Sequence, residues 1–163
     1  MNTKKLAALS LLTAIALVIY ILESMIPPLV PVPGIKLGLA NVITLFVLVY
    51  YGAREAAMVL TVRVILSSIF VGQITYFFYS VAGAAAAFLI MWLFTRINRK
   101  RFLWFTGAMG GIFHNLGQIL VAVLIMGSPY ILSYFPFLMI SGIITGLFTG
   151  TCVQLLIKRK IKA

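Results

Sequence analysis

The chain has 163 residues, of which 63% are hydrophobic and only 9% charged, and its mean hydropathy is +1.17. A soluble domain of this size would carry about 25% charged residues, so there are too few polar atoms to cover a water-facing surface, and the composition reads as an integral membrane protein. The net charge of +11 points to the anionic face of a bilayer and not to nucleic acid, because the basic residues sit at the ends of apolar runs and not along a polar face.

Crossing the hydrocarbon takes about 20 apolar residues as a helix. Six stretches qualify or come close: 6–26, 37–51, 56–71, 76–95, 105–126 and 131–157. The first follows Lys4 and Lys5, but it is long for a leader and no small-residue cleavage site precedes Pro27, so it reads as a span. Between the first and second stretches lie Pro27, Pro28, Pro31 and Pro33, which no helix interior tolerates. Residues 27–41 therefore form either a structured loop dipping toward a cavity, with Lys36 at its rim, or an ordinary interfacial turn. The second and third stretches are short and are separated only by Gly52, Ala53, Arg54 and Glu55, a tight helical hairpin.

Lys and Arg set the orientation. With the amino terminus inside, the inner connections hold Lys4, Lys5, Arg54, Arg96, Arg99, Lys100, Arg101, Lys158, Arg159, Lys160 and Lys162, while the outer side holds Lys36 alone. Both termini are then expected in the cytoplasm, with the chain a multi-pass membrane protein. Residues 1–163 read as one integral membrane domain. Small residues mark where helices approach: Gly142, Gly146 and Gly150 in the last span, Gly107 and Gly111 in the fifth, Gly83 and Ala87 in the fourth. Ser10 and Ala14 form a similar face on the first.

Polar groups at membrane depth carry the functional information. Arg63 lies about 13 Å along a helix from Arg54, near the midplane. It needs either a pair with Glu23, in the outer half of the first span, or an open site lined by anions or carbonyls. The fifth span brings His114 and Gln118 onto one face, with Asn115 beside them. Lys36, Asn41 and Thr44 of the second span and Gln73 of the following turn add to a polar group in the outer half. Around it runs an aromatic rim that includes Tyr76, Tyr79, Tyr130 and Tyr134, part interfacial belt and part pocket wall.

The chain lacks a phosphate-binding glycine loop, a Cys/His cluster and a serine–histidine–acid set, and its single Cys152 forms no intrachain disulfide. No metal site, cofactor or catalytic residue is expected. Its only acidic residues are Glu23 and Glu55, too few for a magnesium diphosphate centre, which needs several carboxylates.

Residues 33–41 (Pro-Gly-Ile-Lys-Leu-Gly-Leu-Ala-Asn), 52–56, 63–68, 79–83, 114–118 (His-Asn-Leu-Gly-Gln) and 141–146 closely resemble the membrane family called Gx transporters, which also carries the name heptaprenyl diphosphate synthase component I. That family is similar to the S components of energy-coupling factor (ECF) vitamin transporters. The resemblance implies an all-α, six-transmembrane-helix bundle with an outward-facing site capped by the first loop. It also implies substrate contacts at Lys36, Asn41, Arg63, Gln73, Tyr79, His114, Asn115 and Gln118. Ser10 and Ala14 would dock a T component, although Ser10 stands where the docking motif usually has alanine. The expected function is a substrate-binding subunit that captures a small anionic or amphipathic organic solute and relies on partner ATPase subunits. The alternative is a non-catalytic membrane subunit of isoprenoid synthesis, partnered with a soluble prenyl synthase.

Overall fold

A computed structural model of the chain describes residues 2–26, 36–71, 74–97 and 101–161. The prolines of residues 27–35, together with Gln73, Arg99 and Lys100, lie outside the described residues. Within them the chain is all-helical: α1 Thr3–Ser24, α2 Asn41–Tyr50, α3 Ala53–Val71, α4 Ile74–Ile97, α5 Leu103–Met126, a 3₁₀ turn over Pro129–Tyr134, and α6 Phe135–Ile161.

Four of these are long and apolar enough to cross a membrane, namely α1, α4, α5 and the continuous stretch Pro129–Lys158. The chain is thus a multi-pass membrane protein. α3 has 19 residues, about 28 Å of rise, and carries Arg63 within it. The second apolar stretch differs from expectation. Helix forms only from Asn41 to Tyr50, ten residues or about 15 Å, half a bilayer. Gly38 is the reason: at φ +82° it holds the left-handed conformation that an α-helix cannot propagate. The backbone enters α2 through three short-range bonds, from Asn41, Val42 and Ile43 amides to the carbonyls of Gly38, Leu39 and Ala40. α2 ends at Tyr51 and Gly52, where φ of +115° turns the chain straight into α3.

Two contacts fix which ends lie together. The Lys5 ammonium sits 2.5 Å from Glu55, joining the starts of α1 and α3, and the Gln154 amide donates to the Arg101 carbonyl at 3.3 Å, joining the end of α6 to the approach to α5. One apolar cluster, including Leu9, Val47, Ala56, Met91, Leu103 and Val153, packs between these two points. Lys4, Lys5, Arg54, Arg96, Arg101 and Lys158 therefore share one end of the bundle, as the charge pattern requires. At that rim, the hydrogen bond from Lys5 holds the Glu55 carboxyl below its ordinary range. Toward the opposite end, Tyr79, Ile119, Ala122, Ile131 and Leu138 form a second apolar cluster.

α5 and α6 meet along the glycine series. A Cβ on Gly107 would collide with the carbonyl of Gly146 and the backbone of Gly150, and one on Gly111 with the Gly142 carbonyl. Only bare backbones fit, and this closeness replaces the hydrophobic drive that lipid removes. Between the two apolar clusters lies a layer of buried polar residues.

Candidate functional site

Residues 36–40 are non-helical backbone packed within the bundle, buried or half-buried. Such backbone survives only where the protein itself satisfies its amides and carbonyls. Three helices do so. From α5, Gln118 accepts the Lys36 amide through Oε1 at 3.1 Å. From α6, the Thr145 hydroxyl lies 3.2 Å from the Leu37 carbonyl, which shares the hydroxyl's single proton with the Ser141 carbonyl at 2.9 Å. From α1, the two oxygens of Glu23 accept the amides of Gly38 and Leu39 at 2.5 and 3.0 Å. A carboxylate is suited to this place because it accepts at both oxygens and faces the amide end of α2.

His114 fixes the height of the segment. A Cβ added to Gly38 would lie 2.8 Å from its Cδ2, and one added to Gly83 of α4 would lie 2.9 Å from its Cε1 and Nδ1. The imidazole is therefore wedged between two glycines.

Arg63 projects from α3 into the same layer and is 3% exposed. It is not clasped by Glu23: among the described residues, the ion pair found within 4.0 Å is that of Lys5 with Glu55. Arg63 Nε and Nη2 have no hydrogen-bond partner among the described residues, and neither does Lys36 Nζ. Both cations lie against Tyr20, with Lys36 Nζ 3.4 Å and Arg63 Cζ 5.7 Å from the ring centroid. Tyr20 is held in turn by a 3.0 Å hydrogen bond between its hydroxyl and Ser80 of α4. A cation over a ring face is attracted by the ring quadrupole, but this uses none of its N–H donors.

These side chains enclose a small cavity of about 10 Å³, lined by Tyr20, Glu23, Lys36, Gly38, Ala40, Arg63, Ser80, His114 and Gln118. That is room for roughly one water molecule. In this state the bundle holds a polar layer that is nearly closed.

Of the residues singled out by sequence, Lys36, Arg63, His114 and Gln118 come together here. Asn41 is buried near Gly38, with both side-chain polar atoms unpartnered among the described residues, but it does not line the cavity. Asn115 turns to α6, where its amide donates to the Leu138 carbonyl at 2.6 Å. Tyr79 is buried in the apolar cluster at the far end from the basic rim. Gln73 lies outside the described residues. Ser10 and Ala14 line a separate apolar groove of about 370 Å³ between α1 and α3. Sequence reasoning passed over Tyr20, Ser80 and Thr145, and it left Glu23 without its true partner. Tyr20 and Glu23 stand three residues apart on one face of a helix whose other faces are largely exposed. A polar pair at that spacing was the available signal.

Neither a curated protein nor a solved structure matched the chain. Residues 12–156 match a family defined by sequence, and they include all the side chains that build the polar layer. The chain belongs to the heptaprenyl diphosphate synthase component I family.

Proposed function

We propose that the chain is a membrane-embedded substrate-binding subunit, of the kind that ECF transporters use, which takes up a small anionic or amphipathic organic solute at the Lys36–Arg63 layer. One observation carries the reading: two buried cations have donors without hydrogen-bond partners among the described residues, while the nearby carboxylate of Glu23 is already engaged by two backbone amides. A buried guanidinium without acceptors is costly, and membrane proteins keep such groups where they act. The closed cavity is then the ligand-free state, with Lys36 withdrawn onto Tyr20. Energy would come from a T component and ATPase subunits, docked through the groove that contains Ser10 and Ala14, in the inner membrane with both termini cytoplasmic.

The family name favours a second reading, a non-catalytic partner of a soluble prenyl synthase. Catalysis by this chain itself is not part of either proposal. Its two carboxylates lie apart, Glu55 on Lys5 at the rim and Glu23 on the Gly38 and Leu39 amides, so they do not form the cluster that would hold a magnesium diphosphate.

Gentle extraction followed by native mass spectrometry tests both readings. A retained small molecule, lost in Arg63→Ala with the fold intact, supports the first; a copurifying aspartate-rich synthase and no ATPase supports the second. Undiminished retention by Arg63→Ala removes Arg63 from the proposal.

A further inference from the structure

Arg63 Nε and Nη2 are both buried and have no hydrogen-bond partner among the described residues. These are the two nitrogens of one edge of the guanidinium, whose N–H bonds run parallel and match the two oxygens of a carboxylate or phosphate group. Nε and Nη2 together select a planar or tetrahedral oxyanion, and a point anion would use the edge poorly. Arg63 is 3% exposed and lines the cavity, so the edge is a buried feature and not a solvated surface fork. Lys36 Nζ, also unpartnered among the described residues, lies against the same Tyr20 ring as Arg63.

Charge limits what the edge can accept. The cavity lining carries two cations, Lys36 and Arg63, against one carboxylate, Glu23. Glu23 cannot leave cheaply, because its oxygens hold the Gly38 and Leu39 amides of the non-helical segment packed within the bundle. One further negative charge balances the layer. Three more would crowd against Glu23 in a medium of low dielectric, where like charges repel strongly.

Resting on the solute-capture reading, we infer that the group recognised at this site is a singly charged oxyanion, a carboxylate or a phosphodiester, seated on the Nε/Nη2 edge of Arg63 with Lys36 as the second cation, and that a diphosphate is disfavoured. The same chemistry could arrive on a free solute or on a lipid headgroup. The void that Arg63 helps to line has room for about one water, so the oxyanion arrives as Lys36 lifts from the Tyr20 face.

The test uses the full chain in nanodiscs with ¹⁵N-labelled arginine, titrated at constant ionic strength with butanoate, dimethyl phosphate, inorganic diphosphate or butanol. The Arg63 Nε–H resonance is identified by its disappearance in Arg63→Lys. Butanoate or dimethyl phosphate should move it saturably, diphosphate should bind at least tenfold more weakly, and butanol should leave it in place. Which singly charged probe binds better separates a solute carboxylate from a lipid phosphodiester. Lys36→Met, which keeps the reporter, should weaken that binding at least tenfold, and it serves if Arg63→Lys fails to fold. Tighter binding of diphosphate, an equal response to chloride, or no response to any probe overturns the inference. Native mass spectrometry keeps its failure apart from that of the capture reading: a retained uncharged molecule ends this inference alone, whereas no retained molecule and no probe response end both.

Discussion

Glu23 and Glu55 are the chain's two acidic residues, and the structure gives them unequal roles. Glu23 is 4% exposed and receives two backbone amides, while Glu55 meets one lysine at a rim. Glu23→Gln leaves one acceptor oxygen and turns an NH₂ toward an amide donor. Losing a charge-assisted hydrogen bond of this kind should lower unfolding stability by about 1.5–3 kcal/mol, measured by denaturant titration in detergent. Glu55→Gln should stay close to wild type in the same assay, as surface ion pairs contribute little. A comparable response of the two variants would mean that Glu23 does not hold the segment. Gly83→Ala places a methyl 2.9 Å from His114 Cε1 and Nδ1; overpacking there should cost about 1–3 kcal/mol and displace the His114 ring resonances. At this scale the sequence was informative about which polar residues are unusual and silent about their partners. Gln118 and Thr145 bond to backbone groups of residues 36 and 37, and a backbone amide has no residue-type signature for a pattern to detect.

The helices divide into a tight pair and looser companions. α5 and α6 touch backbone to backbone through Gly107, Gly111, Gly142, Gly146 and Gly150, and Asn115 ties the same pair through the Leu138 carbonyl. Gly146→Ala drives a Cβ into the Gly107 carbonyl and the Ala108 backbone. Stability should fall by about 1–3 kcal/mol, read from the denaturation midpoint in detergent. Gly127→Ala, at φ +62° with nothing within 4 Å of a new Cβ, should lose only the left-handed strain of about 1–2 kcal/mol and leave α5–α6 contacts, followed by a cross-link across the seam, intact. The four-residue glycine spacing made this seam legible. The length of α2 was not, because Leu37, Gly38, Leu39 and Ala40 have the composition of a helix end, and only the φ of Gly38 and the grip of Glu23 show that the helix has not begun.

For the molecule as a whole, the cations of the described connections collect at one end, and sidedness can be checked directly. In a Cys152→Ser background, Gly127→Cys should react with a membrane-impermeant maleimide added to intact cells, whereas Arg101→Cys should react only after lysis. The reverse pattern would invert the assigned orientation. That the basic connections share one end was readable from sequence, since it depends on where charge falls along the chain, which sequence records. The near-closure of the polar layer was not, because a void of about 10 Å³ is set by sub-ångström fits among four helices and the segment preceding α2.

α1 carries Tyr20 and Glu23 near one end and the exposed Ser10 in the other half, 13 residues or about 20 Å before Glu23 on a single rod of 22 residues. A tilt imposed near Ser10 would swing the far tip sideways, lifting the aromatic seat from beneath both cations and drawing the carboxylate off its two amides in one stroke. Whatever grips the near end thus has its hand on a crank, and the working part of that crank is the floor on which a guest would rest.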